Sequence, residues 1–184
     1  EERVGANPYK FGMIGSTDSH TSMSSAEEDN FWGKMALDST PENTLDPSKI
    51  VVPPTSFGAD MGAAGLAAVW ATENTREGLV AAFPRKEVYA TTGPRIKLRF
   101  FGGWSFRNRD ARARDIASVG YSKGVPMGGD LAGADAGNAP TFLIRAVKDP
   151  VGGNLDRVQV IKGWLDDRGA PMEKVYDVSW AGER

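Results

Sequence analysis

The sequence contains no cysteine and a single histidine among its 184 residues. The absence of cysteine excludes disulfides, cysteine nucleophiles, iron–sulfur clusters and cysteine zinc sites. Any imidazole chemistry that this chain performs must use His20. The lack of cysteine fits both reducing and oxidising compartments, so it leaves the cellular compartment open.

Long apolar runs and targeting signals are also lacking. The longest uncharged apolar stretch, residues 61–72 (MGAAGLAAVWAT), is too short to span a bilayer and is diluted by Gly and Ala. The N-terminal residues are acidic and lack the basic and then apolar pattern of a signal peptide. Since the first residue is not Met, we expect the chain to be a piece of a longer protein.

The net charge is small, because 22 Lys and Arg oppose 24 Asp and Glu, for a formal charge of −2 at pH 7. This balance points to neither nucleic acid nor a membrane surface as a partner. The charges are unevenly spread: residues 1–60 carry four basic and ten acidic side chains, whereas residues 85–123 carry ten basic and three acidic ones. The basic stretch fits a solvated surface or a groove for an anionic substrate.

Gly and Pro together make up 33 of the 184 residues, which predicts many turns. In the first half, short apolar runs predict strands at 11–15, 66–70 and 88–91. A helix is predicted at 24–37 and a clearer one after Asn74, an N-cap with Glu77 three residues later and Pro84 as the stop. The Pro-rich residues 40–58 predict an irregular loop.

The second half is predicted to be mainly β. Apolar side chains alternate from 96 to 101, which is a period of two, and further strands are expected at 141–147, 155–164 and 174–180. These strands predict a sheet with one wet face. A short helix is expected within 110–119, and we expect the five tryptophans to be mostly core residues.

The strongest chemical signal is the segment GSTDSHT at 15–21, directly after the predicted strand FGMIG. In an extended backbone, Asp18 and His20 point to the same side, roughly 6–7 Å apart. A carboxylate and an imidazole placed in this way can bind a divalent cation at the tip of a barrel strand. Two ligands leave such a site incomplete, so the others would come from carboxylates or from outside the chain.

Other interpretations of these residues remain open. An Asp-x-His pair in a Ser- and Thr-rich turn also occurs as an Asx-turn. A Ser-His-Asp triad is disfavoured, since GSTDS does not match the nucleophile elbow G-x-S-x-G. Asp130, Asp135 and Asn138 miss the spacing of a calcium loop, and GVPMGGDL at 124–131 lacks the Lys-Ser/Thr of a phosphate loop. Arg76 and Arg95 are candidates for binding an anionic group, although surface or salt-bridge roles are the commoner use of such residues.

Four segments in the same order resemble a bacterial family that is labelled as a domain of unknown function. They are NPYKFGMIGSTDSHT, ENTREGLVAAFPRKEVYATTGPRI, GVPMGGDL and VKDPVGGNLDRVQVIKGW. That family in turn resembles the PHP (polymerase and histidinol phosphatase) superfamily of metal-dependent phosphoesterases, which have a distorted α/β barrel with two or three divalent ions. The PHP pattern ends in an Asp-x-His motif, which Asp18 and His20 match; the earlier His-x-His pair has no counterpart here.

The resemblance implies an α/β fold followed by a β-rich part. Residues 1–96 would form the C-terminal part of a PHP-like barrel, and residues 97–184 a mainly antiparallel β segment. The full protein would hydrolyse a small anionic ester of phosphate or a related acid with divalent Mn, Zn or Fe, held in part by Asp18 and His20. The missing half of the barrel would come from another chain or from self-association. The alternative is a non-catalytic binding or assembly module with a vestigial metal motif.

Overall fold

The computed structural model describes residues 5, 7, 9–22, 27–63, 65–133 and 137–182. Within these residues most of the regular secondary structure is strand, with three short α-helices. The strands form four small sheets, in the orders β1-β2, β3-β4, β6-β5-β7 and β8-β9. The strands are β1 Ile50–Val52, β2 Ser56–Phe57, β3 Gly65–Val69, β4 Val88–Thr92, β5 Lys97–Gly103, β6 Gly124–Pro126, β7 Thr141–Val147, β8 Arg157–Leu165 and β9 Pro171–Trp180. The helices are α1 Pro41–Thr44, α2 Arg76–Ala82 and α3 Ile116–Lys123.

The β-rich character predicted for the second half is confirmed, since β5 and β7 to β9 lie close to the predicted positions. Every strand pair among the described residues is antiparallel. The parallel strands of an α/β barrel are therefore not seen in the part of the chain that the structure describes. None of the helices there has the length and apolar character needed to cross a bilayer.

Strands β3 and β4 pair over five residues and are joined by the segment that contains α2. The predicted helix is present, but its N-cap is Thr75 rather than Asn74. The Thr75 hydroxyl accepts a hydrogen bond from the amide of Gly78 at 3.1 Å, which satisfies one of the free amides of the first turn. Asn74 and Thr75 both carry a side-chain oxygen that can cap a helix. The helix begins one residue later than predicted, so Thr75 is the residue that caps it.

The main apolar core lies between the three-stranded sheet and α3. It consists of Phe101, Phe106, Ile116 and Leu143, each at most 8% exposed. Phe101 on β5 is fully buried beneath Gly120 of α3. A Cβ on Gly120 would lie 2.5 Å from the Phe101 ring, so the helix needs glycine there to approach the sheet this closely.

Aromatic side chains connect β3 and β4 with β5 and α3. The indole of Trp70 donates to the carbonyl of Leu98 at 2.8 Å, while the Arg99 guanidinium stacks on the Trp70 ring at 3.4 Å. The hydroxyl of Tyr121 on α3 donates to the buried carboxylate of Glu87 and accepts from Arg99 at 3.2 Å. These contacts fix the two sheets against each other.

The β8-β9 hairpin differs from the predicted sheet with one wet face. All ten residues of β9 are exposed. Both faces of the hairpin carry exposed apolar side chains, with Ile161 and Val175 on one face and Trp164 and Tyr176 on the other. Trp164 and Trp180 lie here at 36% and 48% exposure, and Trp32 is 48% exposed, so the expectation of mostly buried tryptophans is wrong for these three. Alternation predicted the strands correctly, but no second layer covers them in the described residues.

Three predictions for the first 60 residues are wrong in the described part of the chain. Residues 11–15 form no strand. Their glycines face β4, whereas the apolar side chains of Phe11, Met13 and Ile14 point away from it and are 57–72% exposed. The helix predicted at 24–37 is replaced after residue 27 by two short 3-10 turns, since Gly33 has a φ of +83°; its first residues lie outside the described residues. The loop at 40–58 contains α1, β1 and β2.

Candidate functional site

The segment that carries Asp18 and His20 crosses β3 at very close range. A Cβ on Gly65 would lie 1.9 Å from the carbonyl oxygen of Ser16, and one on Gly15 would lie 2.8 Å from the carbonyl oxygens of Leu66 and Thr91. Both positions therefore require glycine, because any side chain would push the two backbones apart. The close contact of Gly15 and Ser16 with β3 therefore fixes where the following residues, Asp18 and His20, begin.

A turn at Asp18 brings its carboxylate towards the His20 ring. Asp18 has a φ of 54°, in the left-handed region that Asp adopts more readily than most residues. Nδ1 of His20 lies 2.7 Å from the carbonyl oxygen of Asp18, and because a carbonyl only accepts, we assign the proton of the neutral ring to Nδ1. The lone pair on Nε2 then lies 4.0 Å from Oδ1 of Asp18. The two side chains do come together, through a left-handed turn and not through a strand pleat.

Lys34 completes the cluster from the other side. Its ammonium donates to Oδ2 of Asp18 and, at 3.1 Å, to the carbonyl oxygen of the same residue. The Lys34 side chain is only 11% exposed, whereas those of Asp18 and His20 are 68% and 54% exposed. The amide of His20 donates to the Lys34 carbonyl at 2.6 Å, which ties the two segments together.

The hydrogen bond and the charge of Lys34 hold the pKa of Asp18 below its ordinary value, and His20 contributes to a smaller extent. The slight burial of the carboxylate acts in the opposite direction but is outweighed. Asp18 is therefore ionised throughout the neutral range, with Oδ2 facing the ammonium and Oδ1 facing His20. An ionised oxygen beside an imidazole lone pair is a donor set that suits divalent Mn, Zn or Fe.

The distance between these two atoms is somewhat longer than the distance between two ligands of one cation. Bonds from such ions to carboxylate oxygen and imidazole nitrogen are about 2.0–2.2 Å long. Two such bonds at a tetrahedral angle place the ligand atoms about 3.4 Å apart. Oδ1 and Nε2, which lie 4.0 Å apart, would therefore have to approach each other by about 0.6 Å to hold one ion. No group of three or more His, Asp or Glu side chains suited to a metal occurs in the described ranges, so the pair supplies two ligands only.

Asp38 supports Lys34 from beneath. Its carboxylate is fully buried and accepts from the backbone amides of Lys34 at 3.0 Å and Met35 at 2.7 Å, one on each oxygen. Gly33 turns with a φ of +83° directly against the Asp38 backbone. The buried carboxylate thus determines where the Lys34 backbone, and with it the ammonium, lies.

Replacing Asp38 with Asn should lower the free energy of unfolding by about 1–3 kcal/mol, because one of the two amides would face an NH₂ group instead of an acceptor. Urea unfolding followed by tryptophan fluorescence measures this loss. Asp46→Asn is the matched control: there a single oxygen, Oδ1, accepts from both the amide and the hydroxyl of Ser48, so Asn can keep both bonds. Equal losses in the two variants would contradict the role assigned to Asp38.

The predicted anion-binding residues lie on other elements. Arg76 is exposed at the start of α2, and Arg95 lies in the turn after β4, where its amide donates to Asp149 at 2.7 Å. In the described residues, the interactions of the Asp18 and His20 side chains are with each other, with the Asp18 backbone and with Lys34. The structure thus joins Asp18 and His20 but does not add either arginine to their cluster.

The weaker motifs show no ligand cluster. Asp130 forms an ion pair with Lys10 at 3.0 Å, and Asp135 lies outside the described residues. The glycine-rich residues 124–131 begin with β6, a strand of the three-stranded sheet, and continue as a turn.

Lys34 and Asp38 were missed by the sequence analysis, because residues 24–37 had the composition of a helix. The available signal was Gly33, an unfavourable residue for a helix interior, directly before a lysine.

A pocket of about 450 Å³ lies next to this cluster, because Asp38 is among the residues that line it, together with Phe31, Trp32 and Leu45. Its size lies in the range of pockets for small molecules.

Comparison with known proteins shows the family. The profile of the family described as Protein of unknown function (DUF3604) matches residues 1–184. The chain therefore belongs to this family, which confirms the predicted resemblance to a domain of unknown function. No curated protein matches the chain, and no solved structure matches it.

Proposed function

We propose that this chain carries part of the metal centre of a hydrolase that cleaves phosphate or related esters and is related to the PHP phosphoesterases. The observation that carries the proposal is the pair of exposed atoms Oδ1 of Asp18 and Nε2 of His20, which lie 4.0 Å apart. The hydrogen bond from Nδ1 keeps the Nε2 lone pair available. These are the two residues that match the Asp-x-His motif of that superfamily.

Each residue of the cluster has a separate task in this proposal. Asp18 and His20 supply an oxygen and a nitrogen ligand, and Lys34 orients the carboxylate by holding its second oxygen. A divalent cation, when bound, makes a water molecule more acidic and neutralises charge on an ester oxygen. The exposure of both ligands leaves the site open to a substrate from solvent.

The substrate in this proposal is a small anionic ester. Arg76 and Arg95 remain candidates for binding its anionic group, since arginine forms two parallel hydrogen bonds to phosphate or carboxylate. The hydrogen bond from the Arg95 amide to Asp149 at 2.7 Å ties the Arg95 backbone to the turn after β7. In the sequence, Arg76 lies between the site segment and the basic stretch, and Arg95 lies within that stretch.

We further propose that residues 1–96 form the end of an α/β barrel and that residues 97–184 form a β-rich unit behind it. The exposure of Phe11, Met13 and Ile14, at 65%, 72% and 57%, supports this arrangement. Three large apolar side chains directly before the site would be covered by the missing half of the barrel, from elsewhere in the protein or from a second copy. The remaining metal ligands would come with it.

A second candidate is a binding or assembly module with a vestigial metal motif. Two observations favour it: the Lys34 ammonium already neutralises Asp18, and the described residues supply only two ligands. In this case the cluster would be a structural turn whose ion pair replaces a cation. The two functions differ in whether the full protein binds a metal through His20.

The His20→Ala variant of the full-length protein should bind Mn²⁺ at least about 100-fold more weakly than the natural protein, since even residues that only orient ligands are worth 10- to 100-fold. Isothermal titration at pH 7 measures the affinity, where Asp18 is ionised in both proteins. The cleavage of p-nitrophenyl phosphate should disappear together with the metal.

Circular dichroism should show the same fold in both proteins, because the His20 side chain is half exposed and its backbone hydrogen bond to Lys34 remains. Asp46→Asn is the control for the loss of a carboxylate away from the site and should leave the affinity unchanged. Tight Mn²⁺ binding that survives His20→Ala would favour the binding module instead.

A further inference from the structure

A groove of about 1160 Å³ lies between the three-stranded sheet and the β8-β9 hairpin, with apolar side chains on both of its sides. On the sheet side, Phe100, Phe142 and Ile144 lie on the face that is turned away from α3, and the two phenyl rings stack at 5.3 Å. On the hairpin side, Val160 and Tyr176 are opposite each other in the register and share one face. Two apolar sheet faces therefore contribute to the walls of the groove.

Much of this apolar surface is uncovered. Four large side chains line the groove and are still 39–50% exposed: Phe142, Tyr176, Val178 and Trp180. Two sheets that packed against each other would bury such side chains in a common core. The volume is somewhat above the range of about 300–1,000 Å³ that is usual for small-molecule pockets. The groove therefore has room for a ligand with a long apolar part.

A half-buried cation, Arg145, reaches the groove from the other face of β7. It follows Ile144, so its side chain points to the side of the sheet that carries α3. Its guanidinium donates to the carbonyl oxygens of Ala113 at 3.3 Å and Arg114 at 3.5 Å. Among the described residues it forms no ion pair with a carboxylate. Since arginine has five N–H donors, Arg145 keeps donors for an anionic group.

The segment before α3 adds positive charge at this end of the groove. Ala111 is part of the lining, so the 3-10 turn Asp110–Arg112 borders the groove. The Asp110 carboxylate is already neutralised, because both of its oxygens accept from Lys123 at 2.8 Å. Two exposed arginines of this segment form no ion pair within the described ranges, Arg112 and Arg114.

The other charged residues of the lining leave the surplus positive. Asp156 is paired with Arg157 at 3.3 Å, and the Lys162 ammonium lies over the Trp164 ring at 4.6 Å. The lining thus contains three cationic side chains and one carboxylate. An apolar groove with such a surplus complements a ligand that is apolar over most of its length and negatively charged at one end.

We propose that the groove binds a free amphiphilic carboxylate, a molecule with a long apolar chain and a carboxylate at its end. The chain would lie between Phe142 and Val160, where its burial supplies most of the affinity. The carboxylate would accept hydrogen bonds from Arg145, which supplies the preference for an anion. This function is separate from the candidate metal site, because Asp18 and His20 do not line the groove.

Other occupants match the groove less well. A second copy of the chain would cover it with a protein surface, and the buried centre of such an interface is usually depleted in charged residues, whereas Arg145 is half-buried here. A bilayer surface is flat and cannot enter a groove between two sheets. A fully apolar ligand would leave Arg145 without an anion.

Displacement of a dansyl-labelled undecanoate from the 184-residue chain, followed by fluorescence, measures the affinity of each ligand. Oleate should bind at least tenfold more tightly than oleyl alcohol, which has the same chain but no charge. Arg145→Gln should remove this preference, because it weakens oleate about tenfold and leaves the alcohol unchanged. Arg168→Gln is the matched control and should keep the preference, since Arg168 is 90% exposed and does not line the groove.

Val160→Trp tests the position of the chain without removing a charge. The indole should fill the groove and weaken both oleate and oleyl alcohol at least tenfold. Val175→Trp is its control and should bind both ligands normally, because Val175 lies on the opposite face of the hairpin and outside the groove. Circular dichroism should show the same fold in all four variants.

Four results would overturn the proposal. They are a natural chain that does not bind the dansyl probe, equal affinity of the natural chain for oleate and oleyl alcohol, tighter binding to phosphatidylserine vesicles than to free oleate, and a ligand-free dimer that Val160→Trp dissociates. Undiminished binding of both ligands by Val160→Trp would equally place the chain outside the groove and reject it as the site.

Discussion

Replacing Phe101 with Ala is expected to lower the free energy of unfolding by about 4 kcal/mol. Phe101 is fully buried and forms the centre of the cluster with Phe106, Ile116 and Leu143. Its ring also meets the Tyr121 ring edge-on at a centroid distance of 5.2 Å. Truncation removes these contacts and leaves a cavity beneath Gly120, which α3 cannot fill without moving. Urea unfolding followed by tryptophan fluorescence measures the loss.

Phe100→Ala is the matched control for this experiment. Phe100 is the neighbouring residue on β5 and points to the opposite face, where it is half-buried and stacks on the half-exposed Phe142 at 5.3 Å. Its replacement should cost less than half as much, because less apolar area returns to water. A loss as large as that of Phe101→Ala would show that the main core lies on the other face of the sheet.

Gly65→Ala is expected to damage both stability and the candidate metal site. The new Cβ would lie 1.9 Å from the carbonyl oxygen of Ser16, so the site segment must move away from β3. Forcing such a displacement costs about 1–3 kcal/mol in a well-packed region. Because Asp18 and His20 follow this crossing directly, Mn²⁺ affinity in the full-length protein should fall at least tenfold.

Gly163→Ala controls for the loss of a strand glycine as such. A Cβ on Gly163 would find a single atom within 4 Å, the Met172 carbonyl oxygen at 3.9 Å. Its stability should change by no more than about 0.5 kcal/mol, and its Mn²⁺ affinity should be unchanged. If Gly65→Ala behaves in the same way, the close crossing of the two backbones does not exist in solution.

The elements that could be predicted have a strong local signal. Alternating apolar residues indicated β5 and β7 to β9, and a capping residue with a stop proline indicated α2. These signals depend on residues within one turn or a few strand positions. The wrong predictions at 11–15 and 24–37 share a cause: short apolar or polar runs with glycine have no definite period, so their packing partners decide the structure.

The candidate site shows the same division. Asp18 and His20 could be selected from their residue types and spacing. Lys34 could not, since its contact with Asp18 spans 16 positions and depends on the turn at Gly33 and the buried carboxylate of Asp38. The approach of Asp18 to His20 was expected from a strand pleat, but a left-handed turn at Asp18 produces it.

By itself, the sequence determined the family, the β-rich second half and the one residue available for imidazole chemistry, His20, because composition and short-range pattern carry this information. Only the tertiary structure decided that the strand pairs described are antiparallel, that Lys34 neutralises Asp18, and that β7 and β8 border one groove. Strand pairing, burial and ion pairs depend on contacts between distant residues, and these contacts are made only when the chain has folded.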